Sequence, residues 1–113
     1  MKKITQEELN TILSDHKIWL NDSIKGKRAD LSNMDLTGLD LQKVNLKYGN
    51  FENANLSNAD FYGANFYGAN FTGANLEGAD FYRANCNGAN FKNANCENTD
   101  FYRANCNGAS FQG

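Results

Sequence analysis

This 113-residue chain has no proline, one tryptophan (Trp19), one histidine (His16) and three cysteines (Cys86, Cys96, Cys106). Such a composition, rich instead in Asn, Ala, Gly and Phe, is odd for an ordinary globule. A single imidazole leaves no histidine pair around which to build a metal centre, and no metal or cofactor is expected. Three thiols are an odd number, which argues against a complete disulfide framework and for a reducing cytoplasm. No apolar run approaches the roughly 18–20 residues of a membrane span, so no membrane partner is expected. Met1, Lys2 and Lys3 lead into polar and acidic residues, unlike a secretory signal. Strong charge of one sign is missing as well. The net charge is −2: residues 1–28 hold six Lys/Arg against four Asp/Glu, and residues 29–113 five against nine. Neither +2 nor −4 announces direct nucleic-acid contact. The length allows one small domain, in which core size matters.

What is present is a period, and a missed period would misassign the whole fold. From Ala29 onward a large apolar residue or cysteine recurs every fifth position, from Leu31, Leu36 and Leu41 through Phe61, Phe66 and Phe71 to Cys106 and Phe111. The series runs through seventeen units without an insertion. Two positions before each sits a second small or apolar residue, mostly Ala, with Thr99 the exception, and Asp or Asn stands between them except at Ser110. Five fits neither a helix nor a plain strand. Within a unit, however, small, polar and large residues alternate in, out and in, as along a strand. The two remaining positions must turn the chain. The second is Gly at 63, 68, 73, 78, 88 and 108 and Asn at 33, 53, 58, 93 and 98, which suits the positive φ of a type II turn. Each unit is therefore expected to be a three-residue strand and a corner.

A longer period counts the corners. Residues 81–89 recur identically at 101–109, and the polar position is Asp at 40, 60, 80 and 100. Twenty residues are four units, so the coil has four sides. This pattern resembles the A(D/N)LXX repeat of the pentapeptide-repeat family over residues 29–113. The resemblance implies an all-β solenoid, a right-handed quadrilateral β-helix of about four coils, of bacterial origin. At the ~4.8 Å spacing of stacked strands such a shaft is about 20 Å long.

Residues 1–28 read as a capping helix and lead-in, and 29–113 as the β-helix. A helix is expected over 4–20: Thr5 and Glu8 form a capping box, and Ile4 can staple onto Leu9. Leu9, Ile12, Leu13, His16 and Leu20 fall on one face, with Trp19 at its edge. That face has an open coil end to cover, as repeat proteins need. The run His16 to Leu20, followed by Gly26-Lys27-Arg28, is similar to the lead-in of many bacterial members of the family.

No catalytic constellation emerges, and the chain is not expected to be an enzyme. Cysteines ten residues apart match no zinc spacing. They read as buried thiols, with a strained Cys86–Cys106 disulfide as the alternative. His16 reads as a helix-face side chain packed near Trp19. One surface stands out. The side bearing Asp60, Asp80 and Asp100 carries Tyr62, Tyr82 and Tyr102, followed by Gly63, Arg83 and Arg103. These tyrosines and arginines have the composition of an interaction patch. Alternatively, Tyr stacks on Tyr and Arg on Asp only because neighbouring coils repeat.

A non-enzymatic binding or scaffold module with an unidentified protein partner is the leading expectation. The resemblance also brings DNA mimicry, in which long acidic family members occupy a type II topoisomerase. Magnitudes weigh against it, because about 20 Å of duplex carries about twelve charges where residues 29–113 offer −4. A purely structural module is the remaining alternative. The last coil, holding Cys96, Phe101, Cys106 and Phe111, is expected to pair weakly, end to end, with a second copy.

Overall fold

One unit, Asn70–Ala74, shows why the chain coils in the computed structural model, which describes residues 1–113. Asn70 N–H donates back to the Gly49 carbonyl at 2.9 Å. Phe71 N–H and Gly73 N–H donate forward, to Asn90 O at 2.7 Å and Lys92 O at 2.9 Å. Ala74 N–H closes the corner onto Phe71 O at 3.0 Å. The fifth, Thr72 N–H, goes to the Asn70 side chain, at 2.9 Å from Oδ1. No backbone donor of the unit is left over, and each orphan would cost about 1–3 kcal/mol.

The corner needs left-handed backbone, and it falls at every fifth residue from Asn33 (φ 57°) to Gly113 (φ 87°). Positive φ at the third residue of a corner closed by the Ala74–Phe71 bond fits the type II turn read from the sequence. Lys43, Tyr48, Arg83 and Arg103 take this conformation at φ 57–62° although they are neither Gly nor Asn. Each such side chain costs roughly 1–2 kcal/mol against the following carbonyl.

Parallel bridges join residues twenty apart, as in Asp30–Asn50, Asn50–Asn70, Asn70–Asn90 and Asn90–Ser110. The fold is a β-helix type of solenoid. Its sides are shorter than the three-residue strands expected, for each is a single bridge position. Physically, the residue after the bridge already gives its carbonyl to the corner, so no second ladder pair can follow.

Large side chains fill the shaft. Leu31 through Cys86 in the five-residue series are fully buried, and the alanines beside them nearly so. Phe51, Phe71, Phe91 and Phe111 form one column with centroids 4.8–5.0 Å apart and planes within 9°. Phe61 and Phe66, on neighbouring sides, meet edge to face at 5.0 Å and 89°. Stacking along columns and edge contacts between them both suit the ring quadrupole. Toward the last coil burial fails: Cys96, Phe101 and Cys106 are half-buried and Phe111 is 49% exposed.

The opposite end is closed. Strand β1 (Lys2–Lys3) pairs in parallel with β2 (Met34–Asp35), and helix α1 spans Gln6–Asn21. The helix begins two residues later than expected because Thr5, at ψ 165°, is the N-cap. Its hydroxyl accepts from Glu8 N–H, and the Glu8 carboxylate accepts from Thr5 N–H, each at 3.1 Å. Ile4 and Leu9 are both buried, as the staple requires. After α1 the chain doubles back, with Lys27 N–H on Asp15 O at 3.2 Å. Gly26 permits this crossing, since a Cβ there would sit 2.0 Å from the Trp19 backbone nitrogen.

Candidate functional site

Two groups of residues carry the functional expectations, the aromatic stripe and the cap. Each stripe tyrosine follows an inward Phe and an outward Asp, and the Asp fixes it. Asp60, Asp80 and Asp100 accept the N–H of Tyr62, Tyr82 and Tyr102 at 3.0, 2.8 and 2.8 Å. The same side-chain bond runs along the shaft from Asp30–Ser32 to Asn105–Asn107. This explains why the polar position is Asp or Asn: the oxygen must reach the chain's own N–H two residues on. The sequence pattern exposed the residue type but not this bond.

The structure brings the five stripe residues together. Tyr62 and Tyr82 stack at 5.6 Å, Tyr82 and Tyr102 at 5.7 Å with planes 3° apart. Arg83 lies over the Tyr82 ring and Arg103 over the Tyr102 ring, each with its guanidinium carbon 5.4 Å from the centroid. Of the alternative reading, the Tyr-on-Tyr stacking occurs and the Arg-on-Asp pairing does not. The ion pairs found are Lys2–Glu8 and Lys3–Asp35, both at the capped end. Left-handed φ at Arg83 and Arg103 starts each side chain at the corner, above the preceding ring. Exposure increases along the stripe: Tyr62 and Tyr82 are half-buried, while Tyr102 is 62% exposed.

At the cap, Leu9 and His16 are fully buried, and Ile12, Leu13, Trp19 and Leu20 are half-buried. His16 stacks on Trp19 at 5.4 Å, and Trp19 meets Tyr48 edge-on at 6.4 Å. The imidazole does more than pack. Its Nδ1 accepts the Ala29 N–H at 2.9 Å, and its Nε2 lies 2.8 Å from the Lys47 carbonyl. With Nδ1 occupied as acceptor, Nε2 carries the proton and donates. One neutral side chain thus closes two backbone groups of the first coil. Gln6 does the same on the next edge, its Oε1 accepting from Asp40 N–H at 2.9 Å. A lone histidine gives no sequence signal for such a role.

Burial holds His16 below its ordinary value of 6.5, with nearby Arg28 adding to the effect and the Lys47 bond opposing it. A histidine whose folded value is depressed contributes stability that is complete above the unfolded value. That contribution is lost as pH falls below 6.5 and through the lowered folded value. The melting temperature should therefore be flat from pH 8 to about 6.5 and decline toward about pH 5, where carboxylates are still ionised. His16→Gln should flatten that decline. A wild-type decline that persists unchanged in the variant would contradict the assignment.

The thiols are quiet. Burial pushes all three upward, Cys86 most, so they stay protonated at neutral pH and are poor nucleophiles. All three are free in the structure. No three His, Cys, Asp or Glu side chains converge, and no helix is long and apolar enough to cross a membrane.

A coil that repeats every twenty residues, an inward Phe/Leu column and an Asp/Asn that bonds its own backbone define a class of repeat scaffold. The family model for pentapeptide repeats matches residues 40–78 and 79–113. The chain belongs to the pentapeptide-repeat family. Among solved structures it is similar to a pentapeptide repeat protein from the thylakoid lumen of Arabidopsis thaliana, at 36% identity and TM-score 0.47, covering 77% of this chain and 57% of that one. A pentapeptide repeat protein from the cyanobacterium Cyanothece 51142 matches at 36% identity and TM-score 0.47, covering 74% of this chain and 60% of that one. HetL, involved in heterocyst differentiation regulation in Nostoc sp. strain PCC 7120, matches at 24% identity and TM-score 0.38, covering 75% and 60%. The chain spans less than two thirds of the length of each of these proteins. No curated protein sequence matches it.

Proposed function

We propose that the chain is a non-enzymatic binding scaffold, a right-handed quadrilateral β-helix of about four coils that presents Tyr62, Tyr82, Tyr102, Arg83 and Arg103 to a protein partner. The supporting observation is the ladder itself, aromatic rings held parallel with guanidinium groups resting on them. Tyr and Arg are enriched among residues that dominate binding energy, and here the coil restrains them before any partner arrives. Capture of host proteins by the immobilised chain tests the reading. Tyr102→Ala combined with Arg103→Ala should lose the partner that wild type and Thr72→Ala retain; identical captures would refute it. The same proteins should leave gyrase supercoiling unchanged. The four carboxylates Asp40, Asp60, Asp80 and Asp100 span three coil steps, about 14 Å, where duplex carries about eight charges.

A further inference from the structure

The summed charge of −4 in the repeats hides a strong segregation around the shaft. All nine acids of residues 29–113 lie on the three sides aligned with Asp30, Asp35 and Asp40. The fourth side, aligned with Asn45, Asn65, Asn85 and Asn105, has none. Between that side and the end of α1 runs an open groove of about 770 Å³, lined from the helix by Lys17, Leu20 and Asn21. Its opposite wall is Lys47 with the exposed rings of Tyr48 and Tyr67.

The floor consists of hydrogen-bond donors. Asn45, Asn65 and Asn85 each spend the side-chain oxygen on the N–H two residues on. On two other sides several amide NH₂ groups donate to the preceding rung, as Asn50 does to Asp30, Asn70 to Asn50, Asn75 to Asn55 and Asn95 to Asn75, although those of Asn55 and Asn90 do not. In the groove the three NH₂ groups have no protein acceptor. Lys17 and Lys47 likewise have no carboxylate partner, because the chain's ion pairs lie elsewhere. Two full positive charges outweigh the negative end of the helix dipole, about half a charge. Tyr48 and Tyr67 meet edge to face at 5.7 Å, and Gly68 beneath is bare, since a Cβ there would lie 2.7 Å from the Tyr48 ring.

We propose that this groove binds a small phosphate ester whose ring packs on Tyr48 and Tyr67. A lining whose only charged groups are lysines, over a floor of unpaired amide NH₂ groups, favours a ligand rich in acceptors and negative charge. Its cations are lysines, compact point charges that bind a phosphate without demanding the fixed fork geometry of arginine. Its volume falls within the range of small-ligand sites, about 300–1,000 Å³. Half-exposed tyrosine rings supply the flat apolar contact that a sugar or base offers.

Titration of the full chain with ribose 5-phosphate, AMP, adenosine and inorganic phosphate, followed by NMR, tests the proposal. The two esters should shift the side-chain NH₂ signals of Asn45, Asn65 and Asn85 saturably, with a Kd of about 1 mM or tighter. AMP binding more tightly than ribose 5-phosphate would point to a nucleotide, and equal affinity to a sugar phosphate. Lys47→Gln should weaken binding about tenfold, the usual loss for one charge-assisted bond. Lys92→Gln, on another side of the shaft, should leave it unchanged, and its spectrum also controls for folding. The proposal is overturned if adenosine binds as well as AMP, or if inorganic phosphate binds as tightly as its esters. Equal effects of the two lysine substitutions, or no shift at about 10 mM ligand, a hundredth of the 1 M reference state, would overturn it too.

Discussion

Replacing Phe71 by alanine is expected to lower the unfolding free energy by about 3–5 kcal/mol. The ring is fully buried, stacked between Phe51 at 4.8 Å and Phe91 at 5.0 Å, with the Phe66 edge at 5.1 Å. The coils above and below are tied by Asn70–Gly49, Phe71–Asn90 and Gly73–Lys92 bonds, so the walls cannot collapse into the space left. The cavity penalty is then near the top of its range, a large share of the roughly 5–15 kcal/mol a domain has. Thr72→Ala, one residue on, should cost about 1 kcal/mol or less. It loses the 2.6 Å hydroxyl bond to Asn70 Oδ1 but keeps the backbone bond to the same oxygen. Urea midpoints that fell equally for both variants would contradict the in–out assignment.

Deleting residues 1–23 is expected to have the other large effect, aggregation or the loss of cooperative melting. Several closures go at once. The Met34–Asp35 edge loses β1, and Asp40 N–H loses Gln6. Ala29 N–H and the Lys47 carbonyl lose His16. The buried layer of Leu31, Leu36, Leu41 and Leu46 loses Ile4 and Leu9 from the same core cluster. Exposed edge groups over an apolar layer form a template for other chains. A truncated protein that stayed soluble and melted unchanged would assign the helix another task.

Much of this was legible because the repeat averages out local accidents. Twenty-residue spacing, inward columns and the positive-φ corner are each stated many times over, so no single exception, such as Thr99 or Ser110, obscures them. The capping box was legible at one position because its two residue types and their spacing are specific. What escaped were bonds made once. Lys2 and Lys3 carry no strand propensity, and they pair only because the first coil has a free edge. His16 bonds two backbone groups that sequence places 13 and 31 residues away. Arg83 and Arg103 could have faced Asp or Tyr by type alone. The left-handed corner decided for the ring. The groove was hidden for a related reason: a net charge is a sum along the chain, whereas segregation appears only once the four sides are laid out.

The twenty-residue register is the claim on which columns, ladder and groove all depend. Scalar couplings across hydrogen bonds, read by NMR, test it most directly. The Phe71 amide nitrogen should couple to the Asn90 carbonyl carbon, nineteen residues on, and the Asn70 nitrogen to the Gly49 carbonyl, twenty-one residues back. Couplings at those offsets along the shaft are the expected result. Couplings at four residues, as in a helix, or at an offset one five-residue unit longer or shorter, would contradict it.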